Sequence, residues 1–176
     1  MNSILFTKDG SCTFYSDKFE ESYHSTHGAI SESQHVFIKN GVNFFSSYKS
    51  LSIFEFGFGT GLNCLLTHLD AKNKIVDYHS IEKYPLSPHQ YQQFKLTLES
   101  TYHNSYETII KSKWNKKEHI NSSFYLTKYH DCIHSFNTES RFDVIFFDAF
   151  SPRKQPDLWE ELILKKMYTL LKNKGI

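Results

Sequence analysis

Four acids and three glycines carry the chemistry this sequence offers. Gly57, Gly59 and Gly61 stand in "SIFEFGFGTGLNCLL", between two apolar runs, with Glu55 inside the first run. Glycine permits a tight turn with positive φ and leaves the main chain open to close approach. A helix starting just behind such a turn presents free N–H groups. Dinucleotide sites use G-x-G-x-x-G and set a pyrophosphate on the helix end. Here the spacing is G-x-G-x-G after an acid. That spacing reads as the version for a nucleoside carrying an amino acid, whose ammonium group the nearby Glu55 receives. A plain strand-to-helix turn is the bland alternative.

Glu82 closes the run "IVDYHSIE", about 25 residues beyond Gly57. An acid ending the second strand can accept both hydroxyls of a ribose, one on each carboxylate oxygen. Asp131, in "KYHDCIHSF", is either an acceptor for the exocyclic amine of adenine or a helix N-cap. Asp148 follows the apolar run "FDVIFF" and precedes "AFSPRKQPDLW". An acid there, beside the expected crevice, can accept N–H bonds from a substrate amine, while Phe150 offers a ring face to a base or sugar. Pro152 and Pro156 stiffen the loop. Asp157 is better placed than Asp148 to cap the helix that follows.

The elements that must hold these residues alternate. "LSIFEF", "IVDYHSIEKY", "SFYLTKY" and "FDVIFFDAF" read as strands, the last nearly all apolar, as a strand covered on both faces should be. "GLNCLLTHL" and "HQYQQFKLTLES" read as helices, and residues 101–122 as polar and at best helical, anchored by Trp114. A last helix spans "DLWEELILKKMYTLLKNK", with Leu158, Leu162, Met167, Leu170 and Leu171 near helical spacing and Gly175 as its cap. The first 45 residues read as β-rich, with Asn40-Gly41 as a hairpin turn. The pattern implies an α/β fold with a mostly parallel sheet in residues 51–176 and a β-rich extension in residues 1–50. It also implies an architecture cut short after the fourth strand and its helix.

A chain of 176 residues suffices for one domain with a proper core. A formal net charge of +1 excludes bulk polycation binding, so any nucleic-acid contact needs a local patch. Lys111, Lys113, Lys116 and Lys117 around Trp114 form the densest basic cluster, read either as such a patch or as a solvated helix face. Three cysteines without a C-x-x-C pair fit a reducing cytoplasm. The scattered histidines suggest no metal site. Neither a signal peptide nor a membrane span is expected.

"EFGFGTGLN", "SIEKYPL", "FFDAFSPRKQPDLW" and the upstream "SYHSTHGAISESQHVF" together resemble one family. It is the methyltransferase domain, of the MnmC type, that makes 5-methylaminomethyl-2-thiouridine at the tRNA wobble position. The resemblance spans residues 15 to about 175, and the Asp-x-Phe-x-Pro-x-Lys-x-Pro-x-x-Trp motif is its most specific part. It implies a class I, Rossmann-like fold and S-adenosyl-L-methionine as cofactor. By position, Glu55 and the glycines would cradle the methionine part, Glu82 the ribose and Asp131 the adenine. Asp148 would face the aminomethyl group of the uridine, oriented for in-line attack. Tyr23 and Ser25 would lie over the site as a partial lid, with Phe150 and Pro152 on the substrate side. Lys154 and Arg153 would meet RNA phosphate near the anticodon loop. The family's oxidase segment is not in this sequence, so a separate FAD-dependent or aminomethyl-forming enzyme would act upstream. Arg153 and Gln155 depart from the Ala and Asn that relatives often carry, which touches substrate fit. A methyltransferase of the same fold acting on another amine, and a non-catalytic truncated binding module, are the competing readings.

Overall fold

A computed structural model describes residues 2–71 and 73–176. Its centre is a five-stranded sheet in the order β6-β7-β5-β4-β8. The strands are β4 (Ser50–Phe56), β5 (Ile75–Glu82), β6 (Lys117–Asn121), β7 (Phe124–His130) and β8 (Val144–Phe147). β4 pairs in parallel with β5 and β8, and β5 pairs in parallel with β7, while β6 runs antiparallel at the edge. The first strand of the sheet, β4, therefore lies between β5 and β8. Connections leave it in opposite directions, which opens a crevice at the strands' carboxyl ends.

Apolar side chains fill both faces. On one, Ile53, Tyr78, Leu126 and Phe146 pack under α2 (Leu62–Asp70), α3 (Pro88–Thr97) and α4 (His103–Lys111). On the other, Phe54, Ile81 and Phe142 pack under α5 (Glu161–Leu170). The buried seam of α5 is Ile163, Met167 and Leu170, whereas Leu162, expected in that seam, is 70% exposed. Helical spacing admitted two adjacent stripes, and the sheet selects the one beginning at Ile163. Gly175 does not cap α5. The helix stops at Leu170, and Leu171 turns extended to form a parallel bridge with Phe142 on the outer side of β8. The Ile145 N–H then donates to the Ile176 carbonyl at 2.7 Å. α3 opens on a capping box between Ser87 and Gln90, with Pro88 in the first turn. Replacing Ser87 by Ala should cost about 1 kcal/mol, lowering the melting temperature by roughly 3 °C in a circular-dichroism melt.

The N-terminal segment is less β-rich than expected. A small antiparallel sheet joins β1 (Asn2–Phe6), β2 (Cys12–Ser16) and β3 (Glu21–Ser22). No hairpin forms at Asn40-Gly41. Instead α1 (Ala29–Ser33) continues into a wide π-type turn over Gln34–Lys39, and a 3₁₀ turn covers Val42–Phe45. Ile38, Val42 and Phe45 are buried at helical spacing, so tertiary packing overrides the turn propensity of the pair. Gly41 has φ −99°, not the positive φ a two-residue hairpin needs. A Cβ there would stand 2.4 Å from the Phe37 carbonyl oxygen and 2.8 Å from the Phe146 ring. The glycine thus serves close packing of this segment on β8. Phe14, Ala29 and Val42 share one hydrophobic cluster with Leu65 and Tyr78.

β6 was not foreseen. It has no apolar run, and its side chains alternate between exposed and half-buried. Lys111 pairs with Glu107, Lys116 with Glu118 and Lys117 with Asp77, so most of the basic cluster is neutralised locally. Among the described residues no helix is long and apolar enough to cross a membrane.

Candidate active site

A cleft of about 690 Å³ opens at the carboxyl ends of β4, β5 and β8. The turn after β4 forms its floor. Gly57 and Gly59 line it, with φ +98° and +51°. What comes close to these glycines is the protein itself. A Cβ on Gly57 would meet the Asp148 carbonyl oxygen at 2.4 Å, and one on Gly59 would meet the Tyr23 ring at 3.2 Å. Gly61 is the left-handed N-cap of α2, packs on the Phe58 ring and does not line the cleft.

Glu55 lies deeper than the sequence suggests. It is 0% exposed and absent from the cleft lining. Its Oε2 accepts from Ser80 Oγ at 2.7 Å, while Oε1 is buried without a partner. Burial pushes its carboxyl well above the ordinary range, and the Ser80 hydrogen bond only partly opposes this. Its side chain thus lies beneath the cleft floor rather than in the cleft.

Glu82 ends β5 and lines the cleft. Its Oε2 accepts from the Gly59 N–H at 3.1 Å and its Oε1 from the Tyr84 N–H at 2.8 Å. Each oxygen keeps a further lone pair. Burial raises its pKa, against the pull of those backbone donors. Asp131 lines the same cleft and is exposed, with Oδ1 accepting from Cys132 N–H at 2.7 Å and Ser135 Oγ at 3.1 Å. Asp131 thus faces the cleft and precedes a turn, not a helix that it could cap.

Asp148 sits just past β8, its N–H bonded to the Phe56 carbonyl at 2.9 Å. The Asn63 amide donates to its Oδ2 at 2.8 Å. Burial raises its carboxyl to about 7; the Asn63 hydrogen bond opposes the rise, and the nearby Glu32 and Glu82 charges add to it. Neither Asn63 nor Glu32 was singled out from the sequence. Glu32 belonged to the Glu-Ser pair of the upstream motif, so a signal existed; a lone Asn after the glycines gave none.

The N-terminal segment supplies the opposite wall. The Tyr23 ring lies 5.1 Å from that of Phe150, and Phe19 lies 4.8 Å from the same ring. Ser25 lines the cleft, and its N–H donates to Glu32 Oε2 at 2.7 Å. Glu21 Oε2 accepts from the Ser151 N–H at 2.8 Å. Pro152 lines the rim, and Lys154 there is ion-paired with Glu20 at 2.8 Å. His24 bridges Thr13 and Thr60 at 3.1 and 3.4 Å, and burial lowers its pKa to about 4, so it is neutral near pH 7.

Comparison with known proteins follows the same line. Residues 88–176 match the family described as S-adenosyl-L-methionine-dependent methyltransferase. The tRNA 5-methylaminomethyl-2-thiouridine biosynthesis bifunctional protein MnmC of Leptospira interrogans is 26% identical over 181 residues, covering 93% of this chain and 28% of that protein. The protein of the same name from Campylobacter fetus is 28% identical over 185 residues, covering 98% of this chain and 29% of that protein. The chain thus spans under a third of these relatives' length. Among solved structures, MNMC2 from Aquifex aeolicus aligns with a TM-score of 0.78 at 25% identity, over 99% of this chain and 58% of that one. Coclaurine N-methyltransferase, bound to N-methylheliamine and SAH, aligns at 0.50 and 15% identity over 94% of this chain and 38% of that one, a likeness of fold alone.

Proposed function

Because the chain belongs to the S-adenosyl-L-methionine-dependent methyltransferase family, we propose that it methylates the aminomethyl nitrogen on the wobble uridine of tRNA, giving 5-methylaminomethyl-(2-thio)uridine. The observation that carries this reading is Asp148. It is a cleft carboxyl with a pKa raised to about 7, set between Asn63 and an aromatic wall of Tyr23 and Phe150. The names of the MnmC relatives support the choice of tRNA.

The cleft suits the cofactor in size, since ligand pockets run from roughly 300 to 1,000 Å³, and in donor set. Glu82 would take the ribose hydroxyls and Asp131 the adenine amine. Gly57 and Gly59 would lie along the methionine part, with Glu55 beneath them. The cofactor supplies an electrophilic methyl group on a sulfonium. The chain's own task is placement. Asp148 would accept an N–H from the amine, turn its lone pair toward the methyl group and stabilise the charge that develops on nitrogen. Phe150, Pro152 and Tyr23 would hold the splayed base, as single-stranded loops allow. Lys154 would exchange Glu20 for an RNA phosphate.

Transfer of a labelled methyl group to tRNA lacking only the final methyl tests the reading directly. The label should appear in the modified nucleoside after digestion, and its absence from tRNA refutes the substrate. Glu82→Gln should weaken cofactor binding about tenfold in calorimetry, because one acceptor oxygen becomes a donor. An unchanged affinity would remove Glu82 from the ribose site.

A further inference from the structure

Asp148 has a partner beneath the cleft floor. Asn63, in the first turn of α2, gives its Nδ2–H to Asp148 Oδ2 at 2.8 Å. Its Oδ1 is buried and finds no donor. Glu55, 0% exposed, has a buried Oε1 in the same condition. Asn63 and Tyr78 are the polar neighbours of the Glu55 carboxyl besides Ser80, and the Tyr78 hydroxyl is likewise buried without a partner. Two buried acceptors without donors are costly. A proton on Glu55 Oε1 turns that acceptor into a donor for Asn63 Oδ1, and the oxygen keeps a lone pair for the Tyr78 hydroxyl.

Among the described residues, no cation stands among the groups that most shift either acid. Around Glu55 stand Tyr78 and Ser80 of β5, Asn63 and Cys64 of α2, and Asp148. Around Asp148 stand Asn63, Glu32 of α1 and Glu82 of β5. These neighbours are neutral or acidic, which favours the proton on Glu55, while Lys128, the cation that acts on Cys64, donates to the Ile109 and Ile110 carbonyls.

We propose that Asn63 is a positioning residue for methyl transfer, its amide locked between the carboxylic acid of Glu55 and the carboxylate of Asp148, so that Oδ2 is committed and Oδ1 is left for the substrate nitrogen. The amide cannot flip without setting its oxygen against Asp148. Glu55, which by its place before the glycines looked like a ligand group, instead fixes the orientation of the acid that meets substrate.

This role rests on the reaction proposed above, but a carboxyl titration needs no substrate and so fails separately from it. Carbon-13 carboxyl resonances of the whole chain, assigned with Asp148→Asn and Glu55→Gln, are followed from pH 4 to 9. Asp148 should titrate near 7, and Glu55 should show no midpoint in the ordinary carboxylate range. Glu55→Gln should leave the Asp148 midpoint in place, since one neutral donor replaces another. Asn63→Leu should raise that midpoint by about one unit through loss of the Asn63 amide donor, and lower kcat without changing cofactor affinity. A Glu55 midpoint below about 5 overturns the role. So does an Asp148 midpoint that falls by a unit in Glu55→Gln, or one that stays fixed in a folded Asn63→Leu. If Asn63→Leu does not fold, the wild-type and Glu55→Gln titrations decide. Expected titrations together with no transfer to tRNA would refute the reaction and leave the hydrogen-bonded chain standing.

Discussion

Asp148→Ala is expected to lower methyl transfer by roughly 10²- to 10³-fold while cofactor affinity changes by less than about threefold. The asymmetry follows from position. Asp148 lies past the end of β8, on the aromatic side of the cleft, whereas Glu82 closes β5 on the other. Single-turnover transfer and calorimetry on the same preparation check both halves, and a variant that transfers at the normal rate removes Asp148 from the reaction. The pH profile adds a signature. Asp148 must be ionised to accept from the amine, so kcat/KM of the wild type should fall as pH drops through about 7. Folding stability should run the other way. The folded-state pKa lies above the unfolded value of 3.8, so the folded chain holds the extra proton between about 4 and 7. Its contribution is full below about 4 and is lost as pH rises through 7. Asp148→Asn, neutral throughout, should therefore melt higher than the wild type at pH 8, by about 2 kcal/mol in stability.

Gly57→Ala should be the most damaging of the single-methyl additions considered, costing more than about 3 kcal/mol and leaving little soluble protein. Two penalties combine. The residue holds φ +98°, which an L side chain resists, and the new methyl would lie 2.4 Å from the Asp148 carbonyl oxygen. That oxygen is backbone, tied into β8 beside β4 by the Asp148 N–H to Phe56 carbonyl bond of 2.9 Å. No rotamer change relieves the clash, so the strands must separate. Gly59→Ala is the control. Its φ of +51° is milder and its methyl meets only the Tyr23 ring at 3.2 Å, so the loss should stay near 1 kcal/mol. Thermal melts of the two variants should rank them in that order, and a Gly57→Ala protein melting with the wild type would contradict the geometry.

Legibility in the sequence followed burial. β8 was readable as the apolar run of a covered strand, and β4, β5 and β7 from the β-branched and aromatic residues gathered between breakers. α2 and α3 were readable from the glycines and prolines that start them. β6 was hidden, since an edge strand buries one face lightly and its charged residues look like loop. Asn40-Gly41 misled because local turn chemistry lost to the packing of Ile38, Val42 and Phe45. Within the site, Glu82 and Asp148 were found because each acid ends a strand at the crevice. Glu55 lies deeper than the sequence suggests for the complementary reason. It lies one residue inside β4, where the side chain points into a layer rather than out of its end. Asn63 and Glu32 sit on helices, where nothing in residue type or spacing separates a cleft-facing polar group from a solvated one.

The contacts of Phe19, Glu20 and Glu21 with the loop after β8 join positions far apart along the chain. Glu21 meets Ser151 across 130 residues and Glu20 meets Lys154 across 134. At ribosomal speeds the first partner waits roughly ten seconds for the second to be synthesised. One wall of the cavity therefore stays unmade until Ser151 and Lys154 emerge, and the acidic interior is enclosed only then.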